Sequence, residues 1–331
     1  MTMNRREFLR TTAAGGAAAL LGGCVAPVRP TGTAGRALVT GAAYDGNLVE
    51  TILAGLREFP ELRVRGKSIL LKPNLVETTP SDRPINTHPS IVVATAEALR
   101  RMDAGRILVG DGPGHRRDVE QVLEQSGLGA ALREAKLDFV DLNHDAVGTL
   151  PNTGGRTNLA QLYLPRTVLS ADLVVSLAKM KTHHWAGATL TMKNCFGLMP
   201  GIVYGWPKNV LHRAGSPAIA SIDQSVADIV QTVRPGFGII DGVVGMEGDG
   251  PIMGQARPVG CLVMGDQLAS VDATGAAIMG FQPHRIRYLR YGDAAGLGGT
   301  NPRIIAQRGE RIDRFRSEFA VLPRFEFLRQ A

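Results

Sequence analysis

Short apolar runs that break off into charged or glycine-rich segments limit most strongly how this chain can fold. Residues 68–71 end in Lys72-Pro73-Asn74, and residues 106–109 end in Gly110-Asp111-Gly112-Pro113-Gly114-His115. Residues 173–177 are followed closely by Lys179, Lys181, His183 and His184. Residues 236–240 lead to Asp241, then Glu247 and Asp249, and residues 261–264 lead to Asp266. Runs this short read as buried strands, and 137–140 and 162–164 read the same way. Between them lie segments with helical spacing: 89–101, 118–135 with breaks at Gly127 and Gly129, 188–199, 218–233, 270–279 and 284–291. Strands alternating with helices predict an α/β protein with a mostly parallel or mixed sheet flanked by helices. The Asn-, Thr- and Gly-rich stretch 143–160 reads as loop. No clear boundary separates two folding units, 143–160 and 201–216 being the only candidates, so a single large domain is expected over 37–305, with the Arg-rich residues 306–331 as a surface appendage.

The first 23 residues read as an address. Arg5-Arg6, followed by Glu7, Phe8, Leu9 and Arg10, fits the twin-arginine export pattern. The apolar stretch 11–23 is too short to span a bilayer, which takes about 20 residues. Leu21-Gly22-Gly23-Cys24 resembles a lipobox, making Cys24 the expected lipidation site and residues 24–36, rich in Pro, Gly and Thr, a flexible tether. The expected partners are therefore the twin-arginine translocase, the lipoprotein-processing machinery and the membrane, the last through the lipid anchor only. The expected location is beyond the bacterial cytoplasmic membrane, on the periplasmic or cell-envelope face and lipid-anchored.

The formal charge is +7, of which the signal supplies two through three arginines against Glu7. The remaining basic residues are scattered, without an arginine-rich arm or an aromatic-interleaved patch, so no nucleic-acid partner is read. Three cysteines, one of them Cys24, and no C-x-x-C leave no cysteine-built cluster or zinc site.

In open α/β sheets ligands collect at the carboxyl ends of strands, where the ionisable residues of this chain recur. If the strand from 173 continues, Lys179, Lys181 and His183 share one face, because side chains alternate. Two ammonium groups on one face call for an anion. Lys193, and a helix starting near residues 187–189 with free N–H groups, point to the same ligand. Lys72, Lys179, Lys181, Lys193 and Asn194 are the candidate ligand-binding residues. His183 and His184 are the candidate acid–base groups. Asp111, Asp241, Glu247 and Asp249, among glycines, are candidate ligands for a divalent metal. His144, His212 and His284 read as surface or packing residues, Cys195 as a buried apolar residue, and Asp272 as a first-turn helix carboxylate. The reading is an exported protein whose cleft binds a phosphate or carboxylate, with the reaction unassigned. Its alternatives are a non-catalytic ligand- or cofactor-binding lipoprotein and a structural envelope protein.

Lys72-Pro73-Asn74, Gly110-Asp111-Gly112, Met192-Lys193-Asn194-Cys195-Phe196-Gly197, Asp241-Gly242, Glu247-Gly248-Asp249-Gly250-Pro251 and Ser270-Val271-Asp272-Ala273 together resemble the domain of unknown function 362 family. The resemblance spans about residues 37–305. It implies the form without the fused ferredoxin module that some relatives carry, hence no iron–sulfur cluster. It carries over no site residues.

Overall fold

The computed structural model describes residues 35–213 and 222–329; the signal, Cys24 and the tether up to residue 34 lie outside them. Nine strands build the main sheet: β1 (Arg36–Gly41), β2 (Ile69–Lys72), β3 (Ile107–Asp111), β4 (Asp138–Asp141), β7 (Leu173–His183), β8 (Gly187–Thr189), β9 (Phe237–Glu247), β10 (Gln255–Gly265) and β11 (Ala306–Gly309). β5 (Val147–Pro151) and β6 (Gln161–Pro165) form a separate hairpin. The described helices are α1 (Leu48–Arg57), α2 (Pro89–Arg100), α3 (Val119–Gln125), α4 (Leu128–Glu134), α5 (Arg166–Ser170), α6 (Thr191–Asn194), α7 (Gly201–Tyr204), α8 (Asn209–Arg213), α9 (Ile222–Val233), α10 (Leu268–Ile278) and α11 (Arg287–Ala294).

The sheet order is β11-β1-β10-β9-β7-β2-β3-β4, with β8 folded back on β7. β10 runs antiparallel to both neighbours, β8 is antiparallel to β7, and the other pairings are parallel. The result is the mixed α/β architecture expected, in one domain. On one face, Ile52, Leu56, Ile91 and Leu99 from α1 and α2 pack on Leu71, Val109, Val175 and Leu177. On the other, Val226, Ile229, Ala273 and Ala276 from α9 and α10 pack with Leu70, Val174, Ile240 and Val263. Odd and even positions of β2 and β7 thus feed opposite cores, the period-two rule at work. From β2 the chain moves outward to β3 and β4, then returns to place β7 on the other side of β2. The winding direction reverses between β2 and β7, which opens a crevice at their carboxyl ends.

Some elements differ from expectation. β7 runs through His183 and β9 through Glu247, so Asp241 lies inside a strand rather than at an exit. Within 143–160, residues Val147–Pro151 form a strand, because a non-local partner, β6, supplies its ladder. The expected helix 188–199 divides into β8, α6 and a 3₁₀ turn at Cys195–Leu198. Gly187, at φ 79°, allows β8 to turn back, pairing Lys181 with Thr189 and His183 with Gly187. The C-terminal segment adds β11 to the sheet beside β1 and buries Phe319 and Leu328. No helix among the described residues is long and apolar enough to cross a membrane.

Candidate functional site

Lys72, the last residue of β2, and Asp111, the last of β3, sit at neighbouring strand ends and form an ion pair of 2.6 Å, both fully buried. The Lys72 ammonium also donates to the Pro73 carbonyl at 2.6 Å and to Asn194 Oδ1 at 2.9 Å. Asp111 accepts the Leu75 and Gly112 N–H groups, each at 2.7 Å. The pair is therefore internally satisfied. Gly197 roofs it so closely that an added Cβ would lie 2.1 Å from Asp111 Oδ1 and 2.6 Å from Lys72 Nζ. Asn194 spends its amide on the Lys72 carbonyl at 3.1 Å and Ser176 Oγ at 3.0 Å, locking α6 to β2 and β7.

β7 carries Lys179, Lys181 and His183 with the expected alternation, yet the three lead to different places. The β7–β9 register shifts between Lys179 and Lys181. Lys179 is directly opposite Asp241 and pairs with it at 2.6 Å, inside a closed network with Tyr44 and the His88 backbone N–H. Burial lowers the pKa of this lysine, with Asp241 opposing. Lys179 thus has its anion within the protein and is not brought to the crevice. Lys181 is, and among the described residues its ammonium has one hydrogen-bond acceptor, the Ile85 carbonyl at 2.6 Å. Burial, reinforced by the neighbouring Lys179, Lys193 and Lys72, holds Lys181 well below the ordinary lysine range.

The crevice encloses about 90 Å³, lined by Lys72, Lys181, Lys193 and Lys208, by His115, His183, His184 and His212, and by Asp111, its one carboxylate among the described residues. That volume is roughly the share of three liquid waters, room for a small ion's head. Lys193 lies over the Phe196 ring at 4.4 Å and has no hydrogen-bond acceptor among the described residues; burial, then Lys72, brings its pKa down to about 8. Lys208 reaches from the segment before α8 to the Gly112 carbonyl at 2.6 Å, and burial brings it down to about 7. Three of the four lysines therefore line one cavity without a carboxylate partner among the described residues.

The histidines are held in distinct ways. His183 Nδ1 accepts the Trp185 and Ala186 N–H groups at 3.1 and 3.2 Å. Burial, then Lys193, places its pKa well below the usual histidine value. His184 is half-buried beside Trp185, with Asp249 3.8 Å away. His212 sits edge-on to Trp185 and Phe196, its Nδ1 3.0 Å from the Lys208 carbonyl, and burial lowers its pKa to about 4.

Sequence reasoning placed Lys72, Lys181, Lys193, Asn194, Asp111, His183 and His184 in or beside one crevice, and the structure brings these together. It leaves Lys179 and Asp241 in their own network, and Glu247 on the Ala320 N–H and near Arg257. Asp249 is exposed. The four carboxylates read as metal ligands do not converge, and no three His, Cys, Asp or Glu side chains among the described residues could hold one ion. The expected helix N-terminus is also taken: Asp272, from the second turn of α10, accepts the Thr191 and Met192 N–H groups at 2.7 and 2.9 Å. Its burial raises its pKa to about 7. Lys208, His212, Asn74 and Thr189 were missed; His212 was read as packing, and His115 was noticed only as a strand-exit residue. Cys195 and Cys261 are buried free thiols.

The fold and crevice define a mixed-sheet α/β protein with a basic cavity at the switch point of its winding. The chain belongs to the family described as domain of unknown function 362, whose pattern matches residues 69–277. Residues 2–22 match the twin-arginine translocation signal, so the protein is exported across the cytoplasmic membrane. One relative is the thylakoid-associated protein sll1697 of Synechocystis sp., 26% identical over 235 residues that cover 71% of this chain and 70% of that protein. Solved structures with a similar arrangement include the lactate racemase apoprotein of Thermoanaerobacterium thermosaccharolyticum, at TM-score 0.40 and 16% identity over 66% of this chain. A second, a protein from Thermotoga maritima, matches at TM-score 0.39 and 14% identity over 75% of this chain. The matches span 52% and 58% of those two chains, little more than half their length.

Proposed function

We propose that this exported protein, held to the cell envelope by a lipid on Cys24 and the tether 24–36, binds a small oxyanion in the crevice between β2 and β7. The observation that carries the reading is Lys181, Lys193 and Lys208 around one cavity, each buried and each without a carboxylate partner among the described residues. Burying uncompensated ammonium groups is unfavourable, and an anion among them supplies the missing charge. Phosphate and carboxylate head groups suit ammonium donors of this kind. His183 and His184 stand where they can hydrogen-bond the ligand or exchange a proton with it.

Native mass spectrometry of the protein purified after export, with elemental analysis of the same sample, tests the reading. The expected result is a small anion retained in wild type and absent from Lys193→Met. A ligand-free wild type that neither phosphate, sulfate nor small carboxylates stabilise against heat would refute it.

A further inference from the structure

Two histidines in the cavity are held in opposite tautomers by backbone groups alone. His183 Nδ1 accepts two N–H bonds, from Trp185 and Ala186, so it carries no proton. In the neutral ring the proton is then on Nε2, a donor with no protein partner among the described residues. His212 Nδ1 faces the Lys208 carbonyl oxygen, which can only accept, so this nitrogen carries the proton. Its Nε2 is left as a bare lone pair, again with no protein partner among the described residues. Both rings line the same cavity. One therefore offers a fixed donor and the other a fixed acceptor.

Two further side chains on the cavity wall each hold an atom without a partner among the described residues. Asn74 Oδ1 and Thr189 Oγ1 have no hydrogen-bond partner among the described residues, although their residues are only 9% and 3% exposed. Buried polar atoms are normally satisfied, and those that are not mark something missing from the site. A ligand that only accepts hydrogen bonds would suit the lysines, His183 Nε2–H and the Thr189 hydroxyl. It would leave the His212 Nε2 lone pair without a donor, whereas the Asn74 amide can turn its N–H groups toward such a ligand. A ligand with anionic oxygens and one hydroxyl gives His212 Nε2 its donor through that hydroxyl and serves the donors through its oxygens.

We infer that the cavity selects an oxyanion that retains a hydroxyl, of the hydrogen-phosphate type, with His212 Nε2 accepting that hydroxyl and His183 Nε2–H, Lys181 and Lys193 donating to the anionic oxygens. This rests on the oxyanion-binding reading and adds the ligand's protonation to it. Phosphate and sulfate are the matched probes, nearly alike in size and shape and different in the hydroxyl.

Isothermal titration of the purified protein with each salt, near neutral pH and at equal ionic strength, tests the inference. Wild type should prefer phosphate by about tenfold or more, the usual consequence of leaving a buried polar group unpaired. His212→Phe, which keeps a ring between Trp185 and Phe196, should bring the two anions to within about twofold. Lys193→Met should weaken both together. Equal affinity of wild type for phosphate and sulfate, with both lost in Lys193→Met, would overturn the selectivity and leave oxyanion binding standing. Binding of neither anion by wild type would overturn both.

Discussion

Replacing Lys193 by methionine tests the charge of the cavity through folding rather than through a ligand. Burial moves this ammonium from its ordinary 10.5 to about 8. At about 1.36 kcal/mol per pH unit, the folded, ligand-free state disfavours the charged amine by about 3 kcal/mol. The Phe196 ring beneath it returns about 1 kcal/mol, which leaves roughly 2. The folded pKa is depressed, so between about pH 8 and 10.5 the folded state binds fewer protons than the unfolded state, and stability rises with pH. Below pH 8 both states are protonated and the full penalty applies. Methionine has similar volume and no charge. Ligand-free Lys193→Met should therefore be more stable than wild type by up to about 2 kcal/mol at pH 7, and the difference should shrink toward pH 10. Urea denaturation of both proteins, after exhaustive dialysis and across this pH range, measures it. Parallel stability curves, or a wild type more stable at pH 7 than at pH 10 relative to the variant, would show that Lys193 is not a buried, uncompensated cation.

Lys72→Met should behave oppositely: it strands the Asp111 carboxylate in the interior, a loss of about 3–5 kcal/mol in denaturant unfolding. Gly197→Ala should cost about 1–3 kcal/mol, because the new methyl meets Asp111 and Lys72 at 2.1 and 2.6 Å and must spread the pair; unchanged stability would contradict that close approach. Cys195 and Cys261, whose thiols burial pushes up to about 12, should resist alkylation at neutral pH until the protein is unfolded, and mass spectrometry of the alkylated protein checks this. Cys24→Ser should shift the exported protein from the membrane to the soluble fraction, and persistence in the membrane would argue against the lipid.

The sequence made the strand-end chemistry readable because apolar runs and their polar exits are local. Lys72, Asp111 and Lys181 follow such runs, and the reversal between β2 and β7 brings their exits together. Lys179 looked equivalent to Lys181 by alternation; only the register shift opposite β9, a property of the partner strand, separates them. The carboxylates misread as metal ligands were grouped by closeness along the chain, whereas Asp111 and Asp241 are each claimed by a lysine on an adjacent strand. Lys208 and His212 could not be read, because they come from a short segment far from any apolar run and are held by backbone carbonyls, Gly112 for Lys208 and Lys208 itself for His212. Asp272 shows the same limit: it occupies the start of a helix some eighty positions earlier, so an N-terminus that looked vacant in the sequence was already filled.

β1 begins at the end of the sheet opposite the crevice. Arg36 pairs at the level where β9 begins, with Asp266 2.7 Å away, whereas the crevice opens beyond the strands' far ends. A lipid on Cys24 would thus pull from the floor of the molecule, through eleven residues that reach at most about 40 Å. A flexible tether of that reach imposes no fixed orientation, yet attachment at the end opposite the crevice would leave the opening clear of the anchor and accessible to dissolved solutes of the aqueous compartment.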